Sequence, residues 1–201
     1  MSLRVAGIVL AAGASRRYGS RNKLTEPCEG KALVAHAVDA VLAAGLQPVL
    51  VVTGHDAERI EEALPGRAVS FVYHDAHTHG MGSSIAAGVR SLRATDGVTI
   101  SLGDMPRIRT AHVRHLVDAF EANHASFGDD TLCVPTFAGR RGHPVAFGRA
   151  HLPALQELAG ATGARELLAS RAEHVVEVPM SDDGVLLDID RPTDWGELRP
   201  D

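Results

Sequence analysis

Short apolar runs rich in Val and Ile alternate along the chain with segments of helical period. Val5–Leu10, Val49–Val52 (after Pro48), Val69–Tyr73, Val98–Leu102 and Leu132–Val134 are unbroken enough to read as strands, the first as a buried parallel one. Between them, Ala32–Ala44 places Leu33, Ala37, Ala40, Val41 and Ala44 on one helical face. Ala57–Leu64 and Ser83–Leu92 are likewise helical, and Ala111–Asn123 follows Thr110 as N-cap. From Pro144 onward the pattern is less regular. Val145–Phe147, Val175–Val178 and Val185–Leu187 read as strands, interrupted by helices near Leu152–Leu158 and Ala164–Ser170. The fold expected is α/β: a three-layer, mostly parallel twisted sheet with helices on both faces and an antiparallel element near the C-terminus. Ligands of such sheets bind beyond the carboxyl ends of the strands. The residues that carry chemistry are therefore expected just after strands.

A chain of 201 residues with ordinary apolar and charged content reads as a single domain over 1–201, long enough to bury a full core. A net charge of −5 argues against a general nucleic-acid or membrane binder. There is no apolar stretch long enough to span a bilayer and no secretion signal, so a cytoplasmic location is expected. Cys28 and Cys133 are far apart and form no Cys-x-x-Cys pair, which suggests reduced thiols rather than a zinc site or a disulfide framework.

After the first strand comes Leu10-Ala11-Ala12-Gly13-Ala14-Ser15-Arg16-Arg17-Tyr18-Gly19, running on to Lys23. Small residues let backbone N–H groups approach an anion closely, and the basic side chains supply opposing charge. The loop suits a polyphosphate, although by itself it also fits a Gly-rich turn with solvated arginines. It is neither the phosphate loop ending Gly-Lys-Ser/Thr nor the Gly-x-Gly-x-x-Gly dinucleotide fingerprint. Leu102-Gly103-Asp104-Met105-Pro106 puts a carboxylate directly after a strand, a natural ligand for phosphate-bound Mg²⁺ or a cap for the turn before Pro106. In Leu187-Asp188-Ile189-Asp190, strand alternation points Asp188 and Asp190 the same way. Asp190 is the candidate second Mg²⁺ ligand, with an Asx-turn before Arg191-Pro192 the equal alternative. Gly82, Ser83 and Ser84 at a helix start offer N–H groups and hydroxyls to a base or ribose. The preceding His74, His77 and His79 match no zinc spacing and read as a polar loop. Gly139-Arg140-Arg141-Gly142-His143-Pro144 reads as a loop that meets an anionic ligand, or as a charged hairpin turn.

Together these blocks resemble the MobA-like nucleotidyltransferases over nearly the whole chain, and most of all their molybdenum cofactor cytidylyltransferase branch. The opening Leu-Ala-Ala-Gly-x-Ser-x-Arg-x-Gly…Lys, Gly-Asp-Met-Pro and Asp-Ile-Asp-x-Pro stand in the family's order. The resemblance implies a Rossmann-like nucleotidyltransferase fold. It implies nucleotide binding by Leu10, Ala11, Ala12, Gly13 and Ser15, phosphate contact by Lys23 and Arg17, and Mg²⁺ on Asp104 with Asp190. Family guanylyltransferases tend to read Leu-Ala-Gly-Gly and Thr-Gly-Arg-x-His-Pro. This chain has the cytidylyl forms, Leu10–Gly13 and Arg140–Pro144. A methionine common before the loop's second glycine is Tyr18 here, and Ser20-Arg21-Asn22 precedes Lys23.

The implied reaction is transfer of CMP from CTP to the phosphate of molybdopterin, releasing pyrophosphate. The partners implied are CTP, a molybdopterin-type acceptor meeting Arg141, Gly142 and His143, and a molybdenum hydroxylase apoenzyme. The acceptor phosphate is already an anion, so no general base is required, in keeping with the absence of a Ser-His-Asp set. The alternatives are a guanylyl- or other NTP transferase on the same frame, or a non-catalytic molybdopterin-binding accessory protein.

Overall fold

The computed structural model describes residues 3–19 and 21–198, and of Glu197 the backbone alone. Ser20, expected at the rim of the phosphate loop, lies outside the described residues. The strands are β1 (Val5–Ala11), β2 (Val49–Thr53), β3 (Ser70–Tyr73), β4 (Gly97–Leu102), β5 (Leu132–Phe137), β6 (Arg140–Arg141), β7 (Val145–Gly148) and β8 (Val175–Pro179). They form one sheet in the order β8-β5-β7-β4-β1-β2-β3, with the short β6 hydrogen-bonded to β5. A separate antiparallel pair, Pro27–Cys28 with Lys31–Ala32, precedes the first long helix.

The middle of the sheet is parallel, with Ile8 of β1 opposite Leu50 on one side and Ile100 on the other. The expected antiparallel element is β7, which runs against both β4 and β5. It follows a sharp reversal in which Ala138 and Gly139 both take positive φ.

The helices are α1 (Leu33–Ala43), α2 (Ala57–Glu62), α3 (Met81–Arg90), α4 (Thr110–Phe127), α5 (Leu152–Gln156) and α6 (Arg165–Ser170). They cover both faces because β1 is apolar on both. Val5 and Val9 pack with Val34, Val38 and Val41 of α1 and with Leu116 and Phe120 of α4. Ala6 and Ile8 point the other way, into Ile85 and Val89 of α3 and Leu155 of α5. Each such fully buried branched side chain contributes roughly 1.5–3 kcal/mol. No described helix is long and apolar enough to cross a membrane.

Two expectations are corrected. Thr110 is the first residue of α4, and Arg109 holds the cap position. Val185–Leu187 is not a strand: Asp183–Val185 forms a 3₁₀ turn, and the chain through Asp188 and Asp190 runs outside the sheet. The Asp182 carboxylate accepts from the Gly184 N–H at 3.0 Å and closes that turn.

Both cysteines are buried, and burial pushes the Cys133 thiol up to about 12. Burial, followed by the neighbouring Glu29 carboxylate, raises Cys28 as well. Thiolate is the reactive form. Ellman's reagent is therefore expected to titrate neither thiol in the native protein and both after unfolding. Rapid native reaction of Cys133 would overturn this account of its surroundings.

Candidate active site

The carboxyl ends of β1 and β4 are adjacent, and each releases its chain into the same cleft. The Gly103 N–H donates to the Leu10 carbonyl at 3.0 Å, and a Cβ at residue 103 would stand 2.9 Å from that oxygen. Only glycine allows this approach, which brings the loop after β1 against Asp104.

The β1 loop is tied internally. Ser15, at positive φ, accepts from the Lys23 N–H through its hydroxyl at 3.2 Å and donates to Asn22 Oδ1 at 3.3 Å. Asn22 Oδ1 also accepts from the Leu24 N–H at 3.1 Å, which caps the 3₁₀ turn Lys23–Thr25. Tyr18 accepts at its hydroxyl from Trp195 Nε1–H at 2.8 Å. A Cβ added at Gly13 would meet no atom of the described residues within 4 Å. The packing of the described residues does not demand a glycine there; a ligand lying against the backbone would.

The turn holds Lys23 mostly buried, with its ammonium donating to Asp104 Oδ2 at 2.6 Å and Asp190 Oδ1 at 2.9 Å. Arg17 reaches the other oxygen of Asp190 at 2.7 Å. Burial lowers the Lys23 pKa, but Asp104 and then Asp190 outweigh it, so the ammonium is held above the usual lysine value. Asp190 is free to do this because Asp194 caps the local backbone. Asp194 Oδ2 accepts from the Asp190 and Arg191 N–H groups at 2.8 and 2.7 Å.

Asp188 joins them, with one oxygen from each of Asp104, Asp188 and Asp190 lying within 4.8 Å of the others. Asp104 Oδ1 is buried without a hydrogen-bond partner. Hard carboxylate donors around an orphaned oxygen fit a divalent cation of the Mg²⁺ or Mn²⁺ kind. The surrounding protein, then the charges of Asp104 and Asp190, push the Asp188 carboxyl above the usual carboxylate range, against the pull of Lys23. The sequence reading named Asp104 and Asp190 but not Asp188 for this cluster, although its two-residue spacing from Asp190 was the available signal. The alternation holds outside any sheet: both carboxylates converge on Asp104 while Ile189 between them is fully buried.

The cleft around Lys23 has a volume of about 440 Å³ and is lined by Leu10, Ala12, Gly13, Ser15, Asp104 and Ser84, among others. His77, read from the sequence as part of a polar loop, also lines it, as do Thr78 and Met81, which the sequence did not single out. Ala11 sits at the end of β1 with its side chain buried in the core.

At the start of α3, Gly82 and Ser83 do not offer the free groups expected of them. The Gly82 N–H donates to the Gly160 carbonyl at 2.9 Å. The Ser83 hydroxyl donates to the Gly80 carbonyl at 2.8 Å and lies 2.9 Å from His74 Nε2. Among the described residues, the histidines of 74–79 form no metal-ligand group.

Arg141, Gly142 and His143 line a neighbouring cavity of about 660 Å³. Arg141 is paired with Glu177 at 2.9 Å. A Cβ at Gly142 would collide with the Val185 carbonyl, so this glycine lets the loop pack on the turn that precedes Asp188.

The family model of the MobA-like NTP transferase domain matches residues 7–176. The purine catabolism protein PucB of Bacillus subtilis is 33% identical over 96% of this chain and 95% of its own length. Nicotine blue oxidoreductase of Paenarthrobacter nicotinovorans is 30% identical over 92% of each chain. Among solved structures, Rv0371c of Mycobacterium tuberculosis superposes with a TM-score of 0.84 at 26% identity, covering 98% of both chains. Its manganese complex gives 0.78 at 25% identity, with the same coverage of both chains. A nucleotidyl transferase of Methanothermobacter gives 0.83 at 25% identity, covering 98% of this chain and 96% of its own.

Proposed function

Because the chain belongs to the MobA-like NTP transferase family, and so is a nucleotidyltransferase, we propose that it moves CMP from CTP to the phosphate of molybdopterin. The observation that carries this reading is the Lys23 ammonium bridging Asp104 and Asp190 at the mouth of a small-residue loop whose Gly13 faces open space. We further take the chain as a single cytoplasmic domain over 1–201, with a molybdenum hydroxylase apoenzyme as eventual recipient.

In this reading the triphosphate lies along the loop after β1, where Lys23, Arg17 and the backbone amides meet its oxygens. The acceptor phosphate approaches the α-phosphorus in line from the side of the larger cavity. It forms the new P–O bond as the bond to pyrophosphate breaks. Both reacting partners are anions, so this chain's contribution is alignment and neutralisation of charge rather than proton transfer. Asp104, Asp188 and Asp190 would hold Mg²⁺. When bound, Mg²⁺ supplies positive charge against the phosphate oxygens. Leu10, Ala11, Ala12, Gly13 and Ser15 would form the nucleotide's cradle with Ser84. Gly82 and Ser83 fix the start of α3, and Arg141, Gly142 and His143 border the acceptor.

The test is mass spectrometry of products after incubation with molybdopterin, Mg²⁺ and each of the four nucleoside triphosphates. Molybdopterin cytosine dinucleotide with stoichiometric pyrophosphate is expected. A guanine dinucleotide instead would move the chain to the guanylyl branch. The relative named as an oxidoreductase makes pyrophosphate the decisive readout, because a redox reaction releases none.

Base choice is expected to involve Ala12, which is buried, lines the nucleotide cleft and packs in the same apolar cluster as Ile85 of α3. A methyl group there narrows the slot available to a purine. A single methyl in a pocket discriminates by about 1–3 kcal/mol. Ala12→Gly should accordingly relax the preference for CTP over GTP without inverting it, measured as the ratio of kcat/KM values. An unchanged ratio would place base choice elsewhere.

A further inference from the structure

The cavity of about 660 Å³ opens onto the nucleotide cleft and shares Leu10, Arg17, Leu102, Asp188 and Asp190 with it. Its floor is apolar, built from Ile85, Ile100, Val134, Val145, Phe147 and Leu168. Two arginines on its wall, Arg140 and Arg165, have no carboxylate partner among the described residues, in contrast to Arg141. Arg140 also borders the recess around Asp188, Asp190 and Arg191, which puts it beside the reacting end. Arg165, the first residue of α6, lies near enough to His143 for its charge to be felt there.

His143 Nδ1 is buried in the same wall without a hydrogen-bond partner. Burial holds the imidazole below the usual histidine range, against a hydrogen bond to the Ile100 backbone. A neutral imidazole that donates from one nitrogen presents a lone pair on the other. Unpaired cations beside an apolar floor, with a buried acceptor atom lacking its donor, are groups that a bound molecule completes.

We propose that Arg165 is a specificity residue for the acceptor, binding an anionic group remote from the reacting phosphate while Arg140 holds that phosphate. The matching molecule carries a phosphate at one end, a flat apolar-faced body with an N–H or O–H donor for His143, and a second anionic group. The identity of the acceptor rests on the transferase reading above; the cavity and its two unpaired arginines do not.

The experiment is equilibrium binding of molybdopterin, followed anaerobically by pterin fluorescence, to the wild-type chain, Arg165→Gln and Arg165→Lys. CTP binding is measured in parallel by calorimetry. Arg165→Gln is expected to weaken molybdopterin at least about tenfold, the scale of one hydrogen bond to a charged group. Arg165→Lys should recover part of the loss, and CTP affinity should stay unchanged in both. Equal molybdopterin affinity in Arg165→Gln, no molybdopterin binding by the wild type, or a parallel loss of CTP binding would each overturn the assignment. Arg165-dependent binding with no pyrophosphate release from any triphosphate would refute the transferase reading and leave Arg165 as the anion-binding determinant of a pocket that holds molybdopterin without transfer.

Discussion

Asp104→Asn is expected to cut turnover at least about a hundredfold, the scale of removing one preorganised charge at a transferring phosphoryl group. The substitution is nearly isosteric, and the backbone of residue 104 does separate work. Its carbonyl accepts from the Ile189 N–H at 2.9 Å and so anchors the segment that bears Asp188 and Asp190. That bond survives in the variant, as does the Gly103 contact to Leu10. The asparagine carbonyl can still accept from Lys23, with its amide placed where Asp104 Oδ1 is now buried without a partner. What disappears is one of three negative charges that would hold the cation. The loss should therefore fall on activity and divalent-ion affinity, with little change in unfolding temperature. Pyrophosphate release across a Mg²⁺ titration measures it, and near-normal turnover at low Mg²⁺ would sink the metal assignment.

The carboxyl-end geometry that exposes Asp104 was legible because β1 and β2 are apolar runs and β4 sets Val98, Ile100 and Leu102 between small polar residues, each strand with small or polar residues directly behind it. Val185–Leu187 shows where that kind of reading stops. Val185 is fully buried, as its apolar character requires, yet its carbonyl accepts from the His143 N–H rather than from a neighbouring strand. Hydrophobicity specifies burial, not which backbone partner supplies the hydrogen bond. The alternation of Asp188 and Asp190 survived the loss of the strand, because burial of Ile189 between them leaves both carboxylates on the side of Asp104. Gly82 fails for a different reason. Its N–H is taken by Gly160, and a Cβ there would crowd the Ala159 carbonyl at 2.6 Å. That partner lies far along the chain, beyond the reach of any local motif. The pairing of Arg141, beside an Arg140 with no carboxylate partner among the described residues, was equally hidden, since it depends on Glu177 of β8.

Lys23→Ala is expected to lower kcat and raise the KM for nucleotide together, reducing kcat/KM by at least about a hundredfold. Lys23 is the one lysine of the cleft and the hub of its charge network, with Asp104 and Asp190 each within 3 Å of its ammonium. A cation that meets phosphate in the ground state and more strongly as pyrophosphate departs must appear in both kinetic parameters. Its removal also leaves Asp104, Asp188 and Asp190 crowded together, with Arg17 the ion pair remaining to Asp190. In the absence of divalent cation the variant should therefore be less stable, by about 1–2 kcal/mol. That is below the roughly 3–5 kcal/mol of breaking a fully buried pair, because these carboxylates are partly open to water. Added Mg²⁺ should restore much of this stability without restoring turnover, since the ion replaces the missing charge among the carboxylates but not the contact to the triphosphate. Lys23→Arg should fold normally yet recover little activity, because a planar guanidinium cannot occupy the compact site of an ammonium. Steady-state kinetics at saturating molybdopterin, paired with thermal unfolding with and without Mg²⁺, separate the two roles. Unchanged kcat and KM with lowered stability would reduce Lys23 to a counter-ion for the carboxylates and take the phosphate contact away from it.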